Sequence, residues 1–173
     1  QIVYRHGVQA IEETLAMGCW TPVTSFGIGE ASAADWRARL LAEDGSVFRV
    51  LPPGCDPVEV QWSHCGQHNV ENALAALAAA RHVGVAPAIA ALALEEFQGV
   101  KRRLELLGSP GDVAVYDDFA HHPTAIATTL QGLRARAGKG RVIALVEPRS
   151  NTMRMGEHRG QLASATAAAD CVY

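Results

Sequence analysis

From residue 113 to the last residue, five segments alternate in kind. Residues 113–116 are a short run of β-formers and residues 124–137 carry helical spacing. Residues 142–146 are again short and apolar, residues 158–169 are helical, and a third strand-like run starts at Cys171. Strands alternating with helices argue for a parallel sheet with right-handed crossovers, so this stretch predicts an α/β unit on a parallel sheet. Open parallel sheets bind ligands outside the carboxyl ends of their strands. Two such ends are unusually polar: residues 116–124 read YDDFAHHPT and residues 147–152 read EPRSNT. A carboxylate in the first loop could accept hydrogen bonds from ribose hydroxyls. The same loop could instead simply begin a helix, since Pro123 suits a first helical position.

The earlier part of the chain has a different texture. Residues 8–17 have helical spacing, with Gly18 placed to end the helix. Residues 20–26, 36–41, 47–51 and 58–62 are strand-like, and Asp44-Gly45 between two of them is a hairpin signal. This region is expected to contain antiparallel strands. Two alanine-rich helices follow, over 68–83 and 86–97, joined so briefly that they should pack as a hairpin. Pro87 sits near the start of the second, and Gly84 and Gly99 follow the helix ends. Residues 100–111 are expected to be a charged crossing, with a domain boundary near Gly99.

Composition excludes several classes. The chain has 173 residues, 49% hydrophobic, with a net charge of −3, which argues against a general nucleic-acid binder. No apolar stretch reaches the roughly 18–20 residues of a membrane span. Cys19, Cys55, Cys65 and Cys171 form no C-x-x-C pair and are expected to be free thiols of a cytoplasmic protein. His64, Cys65 and His68, or His121 and His122, offer metal-ligand chemistry but no four-ligand spacing, so no metal site is expected in this chain. No G-x-S-x-G elbow occurs, and Gly138-Lys139-Gly140-Arg141 is a turn rather than a phosphate loop. The chain opens on Gln1 and stops within a strand-like run, which leads us to expect a piece of a longer protein.

Two further constellations carry chemistry. In Gly66-Gln67-His68-Asn69-Val70-Glu71-Asn72, the two asparagines are three apart and share a helix face. Carboxamides match the donor and acceptor edge of adenine; the plainer alternative is a helix cap and a polar surface residue. Arg102-Arg103 offers planar forks suited to phosphate, or merely a surface charge run.

Together the motifs resemble the Mur ligases, ATP-dependent amide-forming enzymes of peptidoglycan. GQHNVENALAA is similar to the central-domain motif G-x-H-N-x-x-N-x-x-A-A, FQGVKRRLE to the hinge, and YDDFAHHPT to the strand-end motif of the C-terminal domain. Within the family, GCWTPV (18–23) and EPRSNTMR (147–154) resemble the branch joining UDP-N-acetylmuramate to L-alanyl-γ-D-glutamyl-meso-diaminopimelate. The related muramate–alanine ligases differ where EPRSNTM stands.

The resemblance implies that residues 1–99 are the distal part of the central ATP-binding domain, with antiparallel strands and a helical hairpin. Residues 100–173 would begin a Rossmann-like C-terminal domain. It implies Asn69 and Asn72 on the adenine side of ATP, Asp118 on the ribose, and Arg103 reaching the phosphates. His121 would sit beside them, making Arg103 and His121 the catalytic candidates. Arg149, Ser150 and Asn151 would line the substrate cleft. Mg²⁺ is implied as well, with ligands expected outside this chain. In the family mechanism the muramyl carboxylate attacks ATP, and the amine then displaces phosphate from the acyl phosphate. This chain, lacking the phosphate loop, is expected to be inactive alone. The alternatives are the muramate–alanine reaction, or nucleotide binding without catalysis. Partners are expected to be small molecules, with no nucleic acid and no membrane.

Overall fold

The computed structural model describes residues 1–148, 153 and 155–173. Residue contacts divide them into two compact units, Gln1–Ser63 with Gln67–Phe97, and His64–Gly66 with Gln98–Tyr173.

The first unit carries a five-stranded sheet whose strands follow chain order: β1 (Ile2–Arg5), β2 (Val23–Ile28), β3 (Trp36–Leu40), β4 (Val47–Leu51) and β5 (Val58–Gln61). β3, β4 and β5 are antiparallel, with Leu40 opposite Phe48 and Arg37 opposite Leu51. The Asp44-Gly45 signal explains that hairpin. Gly45 takes φ +79°, and the Asp44 carboxylate accepts the Ser46 N–H at 3.0 Å and its hydroxyl at 2.6 Å.

The other half of the sheet is parallel, so the sheet is mixed rather than antiparallel throughout. Helix α1 (Gln9–Ala16) provides the crossover from β1 to β2. β2 and β3 pair over only Phe26–Trp36 to Ile28–Ala38, which lets a connection much shorter than a usual crossover suffice. Asp35 anchors that connection by accepting the Ser25 N–H at 2.8 Å and the Ser25 hydroxyl at 2.9 Å. Gly27 leaves room for it, since a Cβ there would lie 2.8 Å from Ser32 Oγ.

Alternation places Trp36, Ala38, Phe48, Val50 and Val60 on one sheet face, all buried. Against this face lies α2 (Gln67–His82), presenting Val70, Ala73, Leu74, Leu77 and Ala78 at helical spacing, with α3 (Pro87–Glu95) adding Ala91. Pro87 occupies the first turn of α3, as its ring prefers.

In the second unit, β6 (Glu105–Gly108) pairs antiparallel with β7 (Val115–Asp117), and β8 (Ile143–Ala144) pairs parallel with β9 (Cys171–Val172). Helix α4 (Pro123–Ala137) follows β7, and α5 (Arg159–Ala165) lies between β8 and β9. The β8–α5–β9 order and parallel pairing agree with the alternation in the sequence, whereas β7 pairs with β6, antiparallel, rather than joining that parallel pair. β6 replaces part of the expected charged crossing; Glu-Leu-Leu-Gly has no alternation to announce a strand. α5 is also shorter than expected. The Thr166 hydroxyl bonds back to the Leu162 carbonyl at 2.9 Å, a local bond that competes with helix continuation.

Ile126, Leu130, Val142, Ala144, Met153 and Ala165 form the core of this unit. Arg134 stitches it at one end: its guanidinium bonds Ala168 O at 3.1 Å, Gly140 O at 2.7 Å and Asp170 at 2.5 Å. Asp170 also accepts the Val142 N–H at 2.7 Å, fixing the starts of β8 and β9. Gly132 brings α4 against the backbone at Gly66, where a Cβ would lie 2.9 Å from Gly66 Cα.

Candidate functional site

β7 ends at Asp117, and the loop after it turns directly into α4. His122 is extended (φ −122°, ψ 142°), and its Nδ1 accepts the Thr124 N–H at 3.3 Å. With Pro123 at the helix start, these two residues serve as cap and first turn. Capping therefore accounts for the second half of the polar loop, but not for Asp118 or His121.

Those two residues line a cleft of about 380 Å³ in the second unit. One wall is the loop after β7, and another is Leu145–Glu147 after β8. Ile126 and Leu130 of α4 close its base, and Arg102 and Leu104 complete the rim. Of these walls, the one after β8 follows the carboxyl end of a strand paired in parallel, the position where parallel sheets bind ligands.

Both carboxylate oxygens of Asp118 are engaged. Oδ2 accepts the Leu104 N–H and Oδ1 the Ala120 N–H, each at 2.7 Å. A carboxylate has about four acceptor positions, so two remain for hydroxyl donors in the cleft. His121 Nδ1 lies 2.9 Å from the Phe119 carbonyl. A carbonyl can only accept, so Nδ1 is the donor in this contact. The His121 ring also packs against the half-exposed Phe119 ring, centroids 4.9 Å apart.

Arg102 is the cation on the rim. Its Nε lies 3.3 Å from Asp117, and its guanidinium sits 5.2 Å from the Phe119 ring centroid. The neighbouring Arg103 is exposed and is not among the residues lining the cleft; its N–H donates to Val100 O at 3.0 Å. The family resemblance points to Arg103, whereas Arg102, Phe119 and Glu147 line the cleft. The Arg-Arg pair was visible, but which arginine faces the cleft depends on a backbone turn that no spacing rule reveals.

Asn69 and Asn72 stand in the first turns of α2, in the first unit, the former half-buried and the latter exposed. Between them, Glu71 pairs with Arg5 at 2.8 Å. Burial pushes the Glu71 carboxyl above its usual range, and Arg5 offsets only part of that. Arg149, Ser150 and Asn151 lie outside the described residues. Among the described residues no group of three His, Cys, Asp or Glu side chains could hold a metal ion. None of their helices is long and apolar enough to cross a membrane.

Comparison with known proteins places this geometry in context. Residues 102–173 match the family model described as Mur ligase, glutamate ligase domain. The chain is 50% identical over 164 residues to the UDP-N-acetylmuramate–L-alanyl-γ-D-glutamyl-meso-2,6-diaminoheptandioate ligase of Escherichia coli, covering 94% of this chain and 35% of that protein. It is 42% identical over 130 residues to the UDP-N-acetylmuramate–L-alanine ligase of Thermobifida fusca, covering 69% of this chain and 28% of the relative. Its backbone superposes on a murein peptide ligase from Psychrobacter arcticus with a TM-score of 0.68 and 44% identity, over 99% of this chain and 36% of that one. The chain thus spans about a third of the length of the relatives it matches.

Proposed function

Because the chain belongs to the Mur ligase family, we propose that it forms part of an ATP-dependent ligase. That ligase joins UDP-N-acetylmuramate to L-alanyl-γ-D-glutamyl-meso-diaminopimelate, as in peptidoglycan recycling in the cytoplasm. The observation that carries this reading is the 50% identity to a ligase of that name across 94% of the chain. L-alanine ligases are similar at lower identity over comparable lengths, 42% over 69% of the chain in one and 36% over 94% in another.

In this reading residues 1–99 belong to the ATP-binding domain and residues 100–173 to the C-terminal domain. The cleft after β7 and β8 holds the ribose side of ATP. The two unused acceptor positions of Asp118 suit a pair of neighbouring hydroxyls. Asn69 and Asn72 meet the adenine, Arg103 meets the phosphates, and Arg149, Ser150 and Asn151 meet the substrate. His121 stands beside them. Mg²⁺ ligands would come from elsewhere in a longer polypeptide. Phosphoryl transfer depends chiefly on positioning and charge stabilisation, which is what these side-chain types supply.

The test is substrate-dependent phosphate release by a polypeptide extended to the full length of the relatives. Release with ATP, UDP-N-acetylmuramate and the tripeptide, but not with free L-alanine, is the expected outcome. Preference for L-alanine would move the chain to the other branch. ATP binding without turnover on either amine would reduce it to a binding module. The 173-residue chain alone should release no phosphate with both substrates; turnover there would refute the assignment of half a site.

A further inference from the structure

The backbone leading into β6 is held in an uncommon conformation. Arg102 takes φ +60° and Leu104 φ +50°, a region that non-glycine residues rarely occupy. Such a conformation persists only where surrounding contacts over-determine it. The contacts here converge on the loop after β7. Asp118 Oδ2 accepts the Leu104 N–H at 2.7 Å, and Oδ1 accepts the Ala120 N–H at 2.7 Å. The Phe119 N–H donates to Arg102 O at 2.8 Å.

The remaining contacts are weaker fasteners. Glu105 accepts the Arg102 N–H at 2.8 Å, but both residues lie on the segment itself. The Arg102–Asp117 ion pair at 3.3 Å is exposed, and such pairs contribute little. Asp118 alone uses one charged group to hold a backbone donor on each side of the join, and hydrogen bonds to a charged acceptor are the stronger kind.

We propose that Asp118 is a positioning residue: its carboxylate latches residues 102–104 in their left-handed path and so sets Arg102 on the rim of the cleft. This role goes beyond the ligase reading and does not depend on which ligand the cleft takes, because both bonds lie within the chain. It also gives any hydroxyl-bearing ligand of Asp118 a consequence. The ligand would bind a carboxylate already oriented by two N–H groups, at a site that exists only while the segment is latched. An amide at this position cannot substitute. Asparagine has a single acceptor oxygen, and its NH₂ would face one of the two N–H donors.

Residue-resolved hydrogen exchange on the 173-residue chain tests this without any ligand. Asp118→Asn should speed exchange of the Leu104 and Phe119 amides at least about tenfold while leaving Ile126 and Leu130 in α4 unchanged. Adding Leu104→Gly should restore Phe119 protection, because glycine enters the left-handed region without steric cost. General destabilisation would show instead as faster exchange in α4. Unchanged protection at Leu104 and Phe119 in Asp118→Asn would overturn the proposal. So would loss of protection that spreads to α4, or that Leu104→Gly does not reverse. Should Asp118→Asn fail to fold, Leu104→Gly alone carries the test. With the latch intact, Phe119 protection should equal or exceed that of the native chain, and a fall would overturn the proposal.

Discussion

Asp170 and Glu71 are two carboxylates whose surroundings pull in opposite directions. The Val142 N–H and the Arg134 guanidinium hold Asp170 below the usual carboxylate range. A folded-state pKa below the unfolded one means that the stabilisation is complete above the unfolded value and is lost as pH falls through the folded one. Asp170→Asn should therefore lower the urea midpoint at neutral pH, and the gap to the native chain should close as pH drops below the ordinary value of 3.8. For Glu71 burial dominates and raises the carboxyl above its ordinary value of 4.5. Its contribution is complete below that value and is lost as pH rises through the raised one. Relative to the native chain, Glu71→Gln should gain stability from acid to neutral pH. A difference that ignores pH would contradict either reading. At this scale the sequence is only partly legible. The strand-end position of Asp118 can be read from YDDFAHHPT, because a polar run after β-formers and before a proline has few other places to go. The place of Arg102 on the cleft rim cannot, because it follows from two left-handed residues that no composition rule anticipates. The offset of Glu71 by Arg5 joins residues 66 positions apart, a pairing that only the packing of α2 beside β1 supplies.

The elements show where local preference yields to packing. Gly132 lies inside α4, where exchange for alanine would by propensity alone gain about 1 kcal/mol. The new Cβ would stand 2.9 Å from Gly66 Cα and 3.2 Å from Gly66 N, both backbone atoms that cannot rotate away. Overpacking of this kind costs about 1–3 kcal/mol, so Gly132→Ala should destabilise the chain despite the better helix former. Gly160, in the first turn of α5, has nothing within 4 Å of the position a Cβ would take. Gly160→Ala should stabilise by about 0.4–1 kcal/mol, chiefly through the unfolded chain. Urea midpoints for the two variants should move in opposite directions, and a shared direction would mean that close approach at Gly66 does not govern α4. Helices and turns of this chain were legible because their signals are local: Asp44-Gly45, Pro87 and Pro123 each specify their own backbone. The parallel pairing of β1 with β2 and of β2 with β3 was not. The Asp35–Ser25 clasp and the space above Gly27 that permit it are contacts across sequence.

For the whole molecule, the two hydrophobic clusters share no residue, one centred on Phe48, Val50 and Leu74 and the other on Ile126, Leu130 and Ala144. Large-to-small changes should therefore act within their own unit. All three tryptophans, Trp20, Trp36 and Trp62, belong to the first unit, so indole fluorescence reports on that unit alone. Leu74 is fully buried against the five-stranded sheet. Leu74→Ala leaves a cavity that should cost about 2–5 kcal/mol, read as an earlier tryptophan transition in urea. Exchange of the Ile126 and Leu130 amides should stay as in the native chain under non-denaturing conditions. Leu130→Ala should do the reverse, speeding exchange across α4 while the tryptophan transition holds its midpoint. Midpoint and exchange moving together in both variants would mean that the two cores unfold as one cooperative body. The cleft beside β7 and β8 draws its base, Ile126 and Leu130, from the second cluster alone. If the cores are separable, the stability of the first unit can change without altering the shape of that cleft.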